Sequence, residues 1–182
     1  VTTTSLLVQR GGDLYTRSVA VLDTTGTYRY LLRHQWDPSR RVVVWVMLNP
    51  STADAFTPDP TITRCMGFAR ARAWGFGGIC VVNLFAVRST DPALLATHPD
   101  PVGPCNDAFL LGHTTPHRMV IAAWGATPAA RERAEHVQQL LTDRGVTLHC
   151  LGTNADSSPK HPLYLPKNSA PVTWPGTTTG DQ

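Results

Sequence analysis

The sequence predicts a single α/β domain: a three-layer α/β/α arrangement whose central sheet has about four mostly parallel strands, with an N-terminal β-hairpin added at one edge. Three observations predict it. Apolar, β-branched runs over 42–48, 79–85, 118–123 and 146–151 read as strands covered on both faces. Helical patterns separate these runs, and strands that alternate with helices pair in parallel. Ahead of them, two segments rich in β-branched and aromatic residues flank a short turn.

Taken in order, "DLYTRSVAVLD" and "TYRYLLRHQW" form the expected hairpin, about 13–36, around the turn "TTG". The core, about 41–166, opens with the strand "RVVVWVML". A helix is expected from Asp59-Pro60, a good cap followed by proline at the first helical position. Its Ile62, Cys65, Met66 and Ala69 recur at helical spacing and face inward, while Arg64 and Arg70 leave that stripe. "GGICVVNLFAV" is the second strand, and "DPALLAT" and "GPCNDAFLLGH" read as short helices. "HRMVIAAWG" is the third strand. Thr127-Pro128 opens a helix through Arg144, with Ala134, Val137, Leu140 and Leu141 inward and Gly145 stopping it. "VTLHCLG" is the fourth strand, and the Thr-, Pro- and Gly-rich tail, about 167–182, is expected to fray.

Composition narrows the function classes. With 42% hydrophobic and 16% charged residues among 182, the chain is globular rather than disordered. A net charge of +3 permits a polyanionic partner without demanding one. The four cysteines, Cys65, Cys80, Cys105 and Cys150, show neither a C-x-x-C pair nor a Cys/His ligand spacing. No metal, cofactor or disulfide is therefore expected. The opening "VTTTSLLVQR" lacks a charged start and a long apolar core, and no run approaches the ~20 apolar residues of a membrane span. A soluble, cytoplasmic protein is expected.

In an open parallel sheet, ligands sit beyond the carboxyl ends of the strands. The four ends here run into "LNPSTAD", "NLFAVRSTD", "WGAT" and "LGTN", which should converge on one pocket. Asn49 can orient a water or read the edge of a heterocycle, or it simply ends a strand as part of an Asn-Pro turn. Asp54 is a general base or a loop carboxylate, and Asp59 reads as a helix cap. Asn83 interrupts an apolar run, where a buried amide without partners costs about 1–3 kcal/mol. It is satisfied by backbone or held for a ligand. Phe85, two residues on, offers a stacking surface on the same face. His161, stiffened by Pro162, lies where the last loop returns to the strand ends and can stabilise charge on a leaving group. P-loop, G-x-G-x-x-G and G-x-S-x-G motifs are absent, and Ser51 lacks the setting of a nucleophile elbow.

In this order, "MLNPSTADA", "DPTITRC", "WGFGGICVVNLFAVRSTDP", "VGPCND", "AAWG" and "HPLYLP" resemble the bacterial and phage family called domain of unknown function 1643, from about Tyr28 to Pro166. That label carries no assigned reaction. More distantly, a buried strand running into "LNPS", an asparagine in a middle strand and a late "HP" loop are similar to the uracil-DNA glycosylase superfamily. This resemblance implies a glycosylase-like fold in which Asn49 positions the attacking water, Asn83 pairs with the base edge and His161 stabilises the departing base anion. It also implies Leu163 as a wedge, whereas Phe85 has no counterpart there. Departures are plain: Met47 stands where a glycine is usual, no aspartate follows Asn49 directly, and Leu163 and Tyr164 replace a serine and a proline. They count against extruding a base from duplex DNA.

The expected function is hydrolysis of the N-glycosidic bond of a nucleobase, modified or not, in DNA or a free nucleotide. Asn49, His161 and Asp54 would be catalytic; Asn83, Phe85, Ser51 and Leu163 would hold the substrate. The alternative is a module that binds a nucleotide or nucleobase without cleaving it. Either way the partner is a nucleobase, nucleotide or DNA, not a membrane.

Overall fold

A computed structural model describes residues 5–176 apart from Thr52 and Pro92. β1 (Leu6–Gly12), β2 (Arg17–Asp23) and β3 (Arg29–Gln35) form an antiparallel meander. β4 (Val42–Met47), β5 (Gly78–Asn83), β6 (Val120–Ala122) and β7 (Leu148–Cys150) follow, with β8 (Val172–Thr173) last. The sheet order is β1-β2-β3-β5-β4-β6-β7-β8. β5-β4-β6-β7 pair in parallel, in the segments where strands were expected. The sheet as a whole is mixed, not mostly parallel, because β3 joins β5 and β8 joins β7 antiparallel.

Side chains alternate between the two faces of each strand. Val43, Trp45, Met47, Ile79, Val81 and Ile121 pack under α1 (Pro60–Arg70), which contributes Ile62, Cys65, Phe68 and Ala69. Val44, Val46, Val82, Val120 and Ala122 pack on the other face. There they meet Leu95 of α2 (Leu94–Thr97), Leu110 of α3 (Asn106–His113) and Ala134, Val137 and Leu141 of α4 (Arg131–Thr142). Two apolar faces explain why the central strands read as unbroken hydrophobic runs. Among the described residues no helix is long and apolar enough to cross a membrane.

Two expectations need correction. β1 extends the hairpin to three strands; its mostly exposed side chains give no alternating signal in "LLVQRGG". The tail does not simply fray. β8 pairs with β7, and the Trp174 ring, 5% exposed, lies edge-on to Trp124 with centroids 5.0 Å apart. Its Nε1 donates to the Ser157 carbonyl at 3.0 Å. One buried tryptophan outweighs a local composition that reads as loop. Residues 177–182 lie outside the described residues.

The parallel strands deliver their last residues to one edge of the sheet. β3 runs the other way beside β5, so it delivers its first residue, Arg29, to that same edge. The Arg29 backbone N–H donates to Ala86 O at 2.9 Å, just past the end of β5.

Candidate functional site

A cleft of about 440 Å³ opens at this edge. β3 supplies Arg29, β4 and its loop supply Met47, Asn49 and Ser51, and β5 supplies Asn83. The start of α1 adds Asp59 and Thr61, the segment after β6 adds Trp124 to Thr127, and the late loop adds His161. Asn49, Ser51, Asn83 and His161 thus share the cleft, while Asp54, Phe85 and Leu163 do not line it.

Asn49 is partly committed. Its Nδ2 donates to Ser89 O at 2.9 Å and to Pro50 O at 3.2 Å, which fixes the amide plane and leaves Oδ1 as the atom free for a ligand or water. Asn83 is 1% exposed, and its Nδ2 has no hydrogen-bond partner. Its backbone is held firmly: the Asn106 amide, buried on α3, donates to Asn83 O at 3.0 Å and to Leu84 O at 2.9 Å. A buried donor without an acceptor is costly, and this one belongs to a residue of the cleft wall.

His161 precedes a 3-10 turn (Pro162–Tyr164) and its Nδ1 accepts from Leu163 N at 3.4 Å. On a neutral ring the proton then sits on Nε2. Burial pushes the imidazole below its ordinary value, partly opposed by the Asp59 charge, so the neutral donor form prevails at pH 7. Gly125 brings this loop in. Its N–H donates to Pro159 O at 3.0 Å, and its φ of +78° is one that L side chains rarely adopt.

The carboxylate in the cleft is Asp59. It caps α1, with Oδ1 accepting from Ile62 N at 2.7 Å, and its Oδ2 accepts from Ser51 Oγ. Asp54 instead turns its own loop, with Oδ1 accepting from Phe56 N at 2.8 Å and Thr57 N at 2.9 Å. Phe85 is buried in the core face that carries α3 and α4. Leu163 sits in the turn after His161 and away from the cleft.

The family model described as a protein of unknown function, DUF1643, matches residues 29–163. The chain belongs to the DUF1643 family. Every cleft residue falls inside the matched span, while β1, β2 and β8 fall outside it. No curated protein and no solved structure matches the chain. The DUF1643 core is thus the part of the chain that builds the cleft.

The sequence singled out neither Arg29 nor Asn106, and pointed to Trp124 only as part of the strand end "WGAT". Arg29 came from a hairpin read as an edge decoration. Asn106 had a signal, as a polar residue just ahead of the apolar run Ala108–Leu111. Burial, and then the neighbouring Arg88, push the Arg29 guanidinium down to about 10, with Asp59 and Asp54 opposing; it remains a cation at neutral pH. Among the described residues, no group of three or more His, Cys, Asp or Glu side chains is placed to hold a metal ion.

Proposed function

We propose that the cleft binds a nucleobase and hydrolyses its N-glycosidic bond. The observation that carries this is the buried, unpartnered Nδ2 of Asn83 in the same cleft as Asn49, Asp59 and His161. A buried amide donor suits a carbonyl oxygen on a base edge. Water oriented by Asn49 Oδ1 would attack the anomeric carbon while the bond to the base nitrogen breaks. The bonding pair leaves with the base, where the His161 Nε2–H stabilises the developing anion. The water proton passes to Asp59, whose oxygens retain lone pairs beyond the bonds from Ser51 and Ile62. Asp59 takes the role that the sequence suggested for Asp54. Helices on both faces of a parallel four-strand core support a three-layer, glycosylase-like architecture for this chemistry.

A second reading is a module that binds the base without cleaving it. The prior engagement of Asn49 Nδ2 and of both Asp59 oxygens favours it. One experiment separates the two. The protein is incubated with uracil-containing and modified DNA and with free nucleosides and nucleotides, and released base is measured beside binding. Release abolished by Asn49→Ala supports the hydrolase. Tight binding with no release from any substrate selects the module, and neither binding nor release rejects both.

A further inference from the structure

We propose that Arg29 is an anion-binding residue of the cleft, and that the natural ligand carries an oxyanion, phosphoryl or carboxylate, alongside its base. The base half of that ligand rests on the reading above; the anion half stands on Arg29 alone.

Arg29 is 2% exposed and lines the cleft. Its Nη1 donates to the Ala53 carbonyl, and its Nε has no partner. Among the described residues no carboxylate forms an ion pair with it, as Asp37 does with Arg40 and Asp107 with Arg133. Asp59 and Asp54 act on it only through space, and Arg88 adds a second positive charge nearby.

Arg133, only partly buried, shows what this protein does with an arginine that serves structure. Its guanidinium pairs with Asp107, and its Nε donates to Leu84 O at 2.9 Å. Arg29 has no such counterion. A buried charge without one is strongly unfavourable, so a site that keeps it has a use for it.

The rest of the cleft offers both kinds of group. Asn83 Nδ2 and the His161 Nε2–H are donors, whereas Asn49 Oδ1 and the Asp59 carboxylate, which accepts from Ser51 and Ile62, are acceptors. A guanidinium presents its N–H groups as a planar fork that matches phosphate or carboxylate oxygens. Such a ligand neutralises Arg29 and supplies the missing acceptor together.

The test uses the whole chain. Thermal unfolding and titration calorimetry are run with orthophosphate, with acetate, and with chloride at matched ionic strength, then with nucleosides and their 5′-monophosphates. Orthophosphate or acetate should protect the wild type beyond chloride, and whichever does so names the oxyanion. Arg29→Met should abolish that protection. If phosphate is the anion, a monophosphate should bind about tenfold or more tighter than its nucleoside, falling to a ratio near one in Arg29→Met. Should Arg29→Met fail to fold, Arg29→Lys keeps the charge and loses the fork. A severalfold loss of protection there supports the proposal, and unchanged protection overturns it. No oxyanion effect in the wild type, or an effect that survives Arg29→Met, also overturns it. Arg29-dependent protection with no nucleobase compound bound keeps the anion site and removes the nucleobase reading.

Discussion

Asn49 Nδ2 donates to the Ser89 carbonyl at 2.9 Å, tying the loop after β4 to the loop after β5. Ser89 N returns a bond of 2.9 Å to Pro50 O, so the tie is two-sided. The residue expected to place water is also a fastener between loops. Asn49→Ala should therefore lower stability by about 1 kcal/mol. It should also lower turnover about 100-fold, while base affinity largely survives. Urea unfolding and steady-state kinetics measure the two effects separately. A stability loss with unchanged turnover would leave Asn49 as a fastener only.

Asn83→Leu should separate binding from folding. The Nδ2 it removes has no partner, so an apolar side chain of similar size should leave the melting temperature unchanged or raise it. Affinity for the base should fall by about tenfold or more, the scale of one buried hydrogen bond left unmade. A large drop in melting temperature would assign the amide to structure.

The two aspartates should behave oppositely. Asp59→Asn keeps a good helix cap, so stability should change by only a few tenths of a kcal/mol, while turnover falls by about 100-fold. Asp54→Asn should leave turnover nearly intact, since that side chain turns a loop outside the cleft. Kinetics of the pair, measured beside circular dichroism, decide whether the cleft carboxylate matters.

Stability should fall on acidification from neutral pH. Burial holds His34, His113 and His161 below their ordinary value of 6.5. The unfolded chain therefore takes up these protons at higher pH than the folded one. Their contribution is fully present above 6.5 and is lost as pH falls from there through the folded values. Urea midpoints from about pH 7.5 down to about pH 5 should decline, with the imidazoles titrating late by NMR. A flat profile with unshifted imidazoles would contradict this.

Much of this arrangement is legible in the sequence where burial on two faces writes itself as hydrophobic runs. That holds for β4 to β7 and for α1 with its Asp59-Pro60 start. Asn83 was visible because it breaks such a run, and His161 because a loop after the last strand must return to the ligand edge. Phe85 was misplaced by extending the alternation of β5 two residues beyond its end at Asn83. Arg29 was hidden for a topological reason. Carboxyl ends are where parallel strands present ligand groups, but an antiparallel neighbour presents its beginning, and nothing local in "TYRYLL" says which strand it will join. Trp174 was hidden by turn-rich neighbours.

The sheet order also governs how the cleft comes into being. β5 sits between β3 and β4 although it follows both in the chain, and the wall residues run from position 29 to position 161. Neither half of the chain can assemble the cleft ahead of the other, and such non-local pairing folds comparatively slowly. The cleft should appear only at the last cooperative step. A ligand that fills it then stabilises the native state as a whole, by an amount that grows with the logarithm of its concentration over Kd. Amides of β3 to β7 should slow their hydrogen exchange together, as one unit.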